Sequence, residues 1–243
     1  MQSKGRHPDP TVRCVRPASM GRSMFERAAL PRVVPFLAYL SFIFIADMLA
    51  RLGVAAHDLR WLYVVKIAVV LGMLLYWRRS YTELSWSPPG ARATASAVAI
   101  GFVVFVLWIN LDAGWMSIGS SEGFDPRTDG AIQWGLVVLR IAGAALVVPV
   151  MEELFWRSFL LRWIDAPDFL KLNPRLISAK AFIVSVVLFG FEHNLWLAGI
   201  VAGAAYSLLY MRSQSLWAPV LAHAVTNGVL GVWIISGGHW TYW

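Results

Sequence analysis

Charge is what this chain has least of. Of its 243 residues only 14% are Asp, Glu, Lys or Arg, against about a quarter in an ordinary soluble domain. That scarcity, beside 58% hydrophobic residues, excludes a soluble globular protein and predicts a membrane protein. Cysteine is almost missing too: Cys14 stands alone, so no intrachain disulfide can form and pairing says nothing about compartment. Acidic residues are the scarcer sign, 14 against 21 Lys and Arg. The excess of +7 is not a nucleic-acid footprint, because Lys4, Arg6, Arg13, Arg16, Arg22, Arg27 and Arg32 all precede the first apolar run. A basic flank of that kind is first a topology signal. Short alternating apolar–polar strands are lacking as well, which excludes a membrane β-barrel. Thirteen Trp and seven Tyr suit the aromatic belts at the two membrane surfaces.

The expected fold class is therefore all-α: a polytopic integral membrane helical bundle of about seven transmembrane helices. The apolar runs fall at Val33–Ala50, Trp61–Trp77, Ala91–Asn110, Ile132–Trp163, Ile177–Glu192, Leu195–Met211 and Leu216–Ile235. Residues 1–32 are expected to be a basic, disordered or interfacial tail. No short apolar run with a small-residue cleavage site precedes the first segment, so a cleaved signal peptide is not expected. Residues 33–130 form the N-terminal helices and residues 131–243 a catalytic membrane core. Loop charges alternate. Arg78, Arg79 and Arg92 mark one side, Asp112, Glu122, Asp125 and Asp129 the other, and Arg162, Lys171, Arg175 and Lys180 the first side again. The positive-inside rule then puts the N-terminus in the cytoplasm of a multi-pass cell-membrane protein.

Ionisable groups inside hydrocarbon cost about 2.5–3.5 kcal/mol each on insertion scales and are rarely kept without a role or a partner. Here they recur on three successive segments. Glu152 and Glu153 sit twelve or so residues before the end of the fourth. Arg157 lies one turn beyond Glu153 on the same face, so Glu153–Arg157 reads as a structural ion pair and Glu152, about 100° around the helix, is left free. An isolated carboxylate in low dielectric, beside another, gains proton affinity and becomes a general base for water. His193 follows Phe189 by one turn. His223 and Asn227 share one helix face and offer side-chain donors of the kind an oxyanion hole requires. Each alone has a plain structural reading: interfacial glutamates, a hydrogen-bonded histidine, an interhelical Asn.

The order of the three motifs, Glu152-Glu153-Leu154-Phe155-Trp156-Arg157, then Phe189-Gly190-Phe191-Glu192-His193, then His223-Ala224-Val225-Thr226-Asn227, resembles the CAAX protease and bacteriocin-processing (CPBP, or ABI) family, which includes the Ras-converting CAAX prenyl endopeptidases. The stretch from Ser215 to His223 is similar to the family's lead-in to its last motif too, and the resemblance covers roughly residues 136–230. It implies an intramembrane glutamate endopeptidase acting on a membrane-associated protein or peptide substrate. In it Glu152 and His193 would hold the water, His223 and Asn227 would form the oxyanion hole, and Glu153, Arg157 and Phe189 would support them. Glu192 departs from the small or apolar residue expected beside the first histidine. Neither a nucleic-acid partner nor a cofactor is expected. The competing readings are a metal-dependent membrane hydrolase with zinc on Glu152, His193 and His223, and a non-proteolytic scaffold or immunity-type factor in which the same residues merely hydrogen-bond helices together.

Secondary expectations concern packing. Pro149 should kink the fourth helix beside Glu152. Asp47 and Lys66, at similar depth on adjacent segments, should pair. Arg140 should snorkel or find a partner within the bundle. Gly199, Gly203 and Ser207 form a small-residue stripe for close helix approach. His239 should be interfacial. At 1.5 Å per residue His193 falls about 22 Å below Ser178 but His223 only about 10 Å below Leu216, so straight helices place the two histidines at different depths.

Overall fold

The computed structural model describes residues 18–55, 57–84, 89–119 and 123–243. Cys14 and most of the basic N-terminal flank lie outside these residues. Among the described residues seven helices build the fold: α1 (Ala18–Arg51), α2 (Arg60–Tyr76), α3 (Ala91–Trp108), α4 (Trp134–Trp163), α5 (Ala179–Phe191), α6 (Trp196–Ser213) and α7 (Trp217–Gly237). A short antiparallel ribbon, Arg127–Thr128 with Ala131–Ile132, closes through Asp129 and Gly130, both at positive φ (50° and 80°), as a two-residue Asp-Gly hairpin requires. Among the described residues four stretches are long and apolar enough to cross a membrane: Arg27–Arg51, Ala91–Trp108, Trp134–Trp163 and Trp217–Gly237. Large apolar side chains such as Phe44, Phe102, Leu146, Ile183 and Val232 point outward, the arrangement a lipid solvent favours and water does not.

Helix α7 is central, packed on α3, α4 and α6, while α5 lies against α6 and α1 against α2 and α4. Small residues allow the closest approaches. A Cβ at Gly199 would press on Gly190 and His193, and one at Gly203 on Phe189, so the predicted small-residue stripe is where α5 and α6 meet. Gly190 answers it from α5, where any side chain would collide with Ile200.

Three local expectations are corrected. The first helix begins at Ala18, well ahead of Val33, and runs through Pro31 and Pro35. Arg32 is consequently not a flanking charge but a buried one. Its Nε and Nη2 donate to the two Glu83 carboxylate oxygens at 2.7 and 2.5 Å, its Nη2 reaches the Ser80 carbonyl at 2.9 Å, and Nε lies 3.2 Å from Ser158 Oγ. Burial pushes the Glu83 carboxyl up, but the hydrogen bonds and charge of Arg32, with Ser158, outweigh it and hold it below the usual carboxylate range. Asp47 does not meet Lys66. It pairs with Arg51 one turn along its own helix at 2.8 Å, whereas the Lys66 ammonium sits 4.0 Å from the centre of the Tyr39 ring. His239 stacks on Trp233 at 3.9 Å near the end of α7.

The interruption expected at Pro149 takes the form of π-helical turns. Residues Gly143–Val147 and Leu154–Leu160 are wound as π-helix on either side of the α-helical Val148–Glu153. In the first of them the Val148 N–H reaches back to the Gly143 carbonyl. The next bond of that ladder would need an N–H on Pro149, which has none. The Ala144 carbonyl is thereby left for a partner from another helix.

Candidate active site

That partner is Asn227, whose Nδ2 donates to the Ala144 carbonyl at 2.8 Å. One turn earlier on α7, the buried His223 uses its Nδ1–H on Glu153 Oε1 at 3.1 Å. The same Glu153 oxygen takes Arg157 Nη1 at 3.0 Å, so the ion pair anticipated from the one-turn spacing is present, with a second donor on the same oxygen from α7. Glu153 and Arg157 are fully enclosed, with side chains 0% and 1% exposed. Arg157 also reaches the Gly203 carbonyl at 3.3 Å and lies 4.3 Å from the centre of the Phe189 ring. Phe189 thus carries the guanidinium on its face. The Tyr206 ring stacks on His223 at 5.1 Å, and its hydroxyl donates to Thr226 Oγ1 at 2.7 Å. In turn Thr226 Oγ1 lies 2.9 Å from the Gly101 carbonyl of α3.

Glu152 is used differently. Its side chain is buried, and its Oε2 has no hydrogen-bond partner. It forms part of the wall of a cavity of about 540 Å³ that is also lined by His193, His223, Asn227 and Glu192. His193 donates Nδ1–H to the Phe189 carbonyl at 2.8 Å. With the Nδ1 proton committed, the neutral ring carries its lone pair on Nε2. The ring is braced edge-on by Trp108 at 5.3 Å. Glu192, also on the cavity lining, accepts from Trp156 Nε1 at 3.0 Å. From this floor the cavity continues to Asp112, Ser117 and Gly119 in the α3–α4 loop and to Thr241–Trp243 at the C-terminus.

Straight-helix counting puts the two histidines at different depths, yet His193, on the turn after the 13-residue α5, lines the same cavity as His223. The start of α5 is fixed from α4, since Asp165 binds both the Ser178 N–H (2.7 Å) and its hydroxyl (2.6 Å).

All seven motif side chains therefore converge, though unequally: Glu153 and Arg157 are locked into structure, while Glu152, His193, His223 and Asn227 border open space. Sequence reasoning missed Tyr206 and Thr226, which tie the second histidine's helix to α6 and α3. It missed Arg140 as a cavity residue as well. Among the described residues no group of three His, Cys, Asp or Glu side chains is arranged to hold a metal ion. No curated protein and no solved structure matches the chain. Residues 134–229, the stretch that carries every one of these motif side chains, match the family described as Type II CAAX prenyl endopeptidase Rce1-like, and this part of the chain is a domain of that family.

Proposed function

We propose that the chain is an intramembrane endopeptidase that hydrolyses a peptide bond in a membrane-associated protein or peptide with water activated by Glu152. The observation that carries this reading is the inequality of the two glutamates. Both have an Oε2 without a partner, but Glu153 Oε1 takes Arg157 and His223 and the residue lies behind the wall, whereas Glu152 makes no ion pair and lines the cavity itself. Glu152 takes a proton from water, and His193, accepting at Nε2, orients the same water. The water oxygen adds to the scissile carbonyl carbon. The resulting oxyanion is met by the Asn227 N–H not spent on Ala144 and by the Nε2–H that His223 carries as an imidazolium paired through Nδ1–H with Glu153. As the C–N bond breaks, the proton held by Glu152 passes to the leaving amine. Glu153 and Arg157 position His223 without touching substrate. The test is the intact mass of membrane proteins from cells with and without the active protein. One or more species should lose a terminal fragment only where the protein is active, and identical mass profiles would oppose the proposal.

The orientation belongs to the same proposal: a cytoplasmic N-terminus and seven crossings, the three helices besides the long apolar four crossing as well. The alternating loop charges support it. On that threading the α3–α4 loop and the cavity mouth face the side away from the cytoplasm. Reporter fusions after Arg79 and after Gly123 should then report opposite sides. Reports from the same side would overturn the threading.

A further inference from the structure

The cavity has a second pole, and it is positive. Arg140 lines the same space as Glu152 but enters no part of the chemistry above. Its guanidinium carbon lies 4.4 Å from the centre of the Tyr63 ring, 4.6 Å from Phe124 and 5.8 Å from Trp243. The Tyr63 hydroxyl donates to the Arg140 main-chain carbonyl at 3.0 Å, which holds that ring in place. Lys66, over Tyr39 at 4.0 Å and Tyr63 at 5.1 Å, adds a second cation beside it. Among the described residues neither Arg140 nor Lys66 is in a salt bridge, and the nearby cavity acid Asp112 accepts from the Tyr242 hydroxyl at 2.6 Å.

Aromatic faces repay part of the cost of a cation kept from water, but they do not supply acceptors to its N–H groups. They also do something specific to arginine: ring contacts hold the guanidinium plane while its in-plane N–H fork is left for a ligand. A fork so held fits a carboxylate through two parallel charge-assisted bonds. Arg140 and Glu152 lie twelve residues apart on α4 and line the same cavity, so one bound chain can reach both.

We propose that Arg140, clamped by Tyr63, Phe124 and Trp243, is a specificity residue that docks a carboxylate of the substrate in the cavity that Glu152 lines. The inference rests on the peptidase reading. The carboxylate belongs either to the substrate's C-terminus or to an acidic side chain, and the test separates the two.

The full chain carrying Glu152→Gln, purified in detergent, is titrated by fluorescence anisotropy with labelled amphiphilic peptides made as C-terminal acids and as their amide twins. The acid should bind about tenfold or more tightly than the amide, the usual worth of a charge-assisted pair. Adding Arg140→Gln should erase that gap and leave amide binding unchanged, which also shows that the variant is folded; Arg140→Lys should retain part of it. An amide twin carrying one Glu near its end that regains the tightness identifies a side-chain carboxylate as the ligand. Equal affinity for acid, amide and Glu-bearing peptides overturns the inference. So does a gap that survives Arg140→Gln, or an equal loss for acids and amides in that variant. The peptidase reading fails separately: if the acid preference holds but the wild-type protein changes no mass in cells, the anion site stands and the hydrolysis does not.

Discussion

Glu152→Gln should stop hydrolysis with the protein still folded and at normal abundance. The substitution keeps the size of a side chain whose Oε2 has no protein partner, so the wall of the cavity loses no hydrogen bond. What disappears is the base, and general bases contribute about 10²–10⁴ in rate before the attacking water's positioning is counted. His193→Ala should fall in the same range, because the water loses its second acceptor. Asn227→Ala should leave measurable activity, since one oxyanion donor is worth about 10²–10³. The measurement is turnover of a substrate found by mass comparison, by purified variants in detergent or liposomes, with chelator present. Robust cleavage by Glu152→Gln would sink the mechanism. Loss of wild-type cleavage on adding chelator would favour metal-assisted hydrolysis, and a cellular phenotype that Glu152→Gln preserves would favour a scaffold.

Arg157→Ala should act on folding rather than on chemistry. Arg157 is fully enclosed, so its removal deprives Glu153 of its only guanidinium, leaves the Gly203 carbonyl without that donor and empties the space over Phe189. Breaking a buried pair from one side costs about 3–5 kcal/mol, a large share of the stability of most folds. The folded fraction extracted from membranes should drop sharply and its thermal midpoint should fall. Arg157→Ala protein that accumulates normally but does not cleave would place the guanidinium in the reaction instead.

What could be read from the chain and what could not divide along a physical line. Apolar runs and one-turn spacings are local, and they located the helices and the Glu153–Arg157 pair. The second partner of Glu153 lies 70 residues away on another helix, and no spacing rule reaches that far. Depth alone pairs Asp47 with Lys66, but Arg51 is one turn away at the end of the same helix, where a pair needs no tertiary contact. Arg32 reads as a membrane flank from sequence because its burial depends on acceptors from two distant parts of the chain, the Ser80–Glu83 loop and Ser158. Pro149 was legible as a disturbance. Its effect, a carbonyl freed for Asn227, depends on which turns around it are wound as π-helix, and composition does not encode that.

The short chain of contacts from Tyr206 through Thr226 to the Gly101 carbonyl ties the matched segment to a helix outside it. Thr226 lies inside the stretch that matches the family and Gly101 lies outside it, where α3 comes so near α7 that a side chain at Gly101 would collide with the Ala222 carbonyl next to His223. A change as small as Gly101→Ala would therefore press on the histidine's helix from behind, at a residue that no motif of the cavity includes.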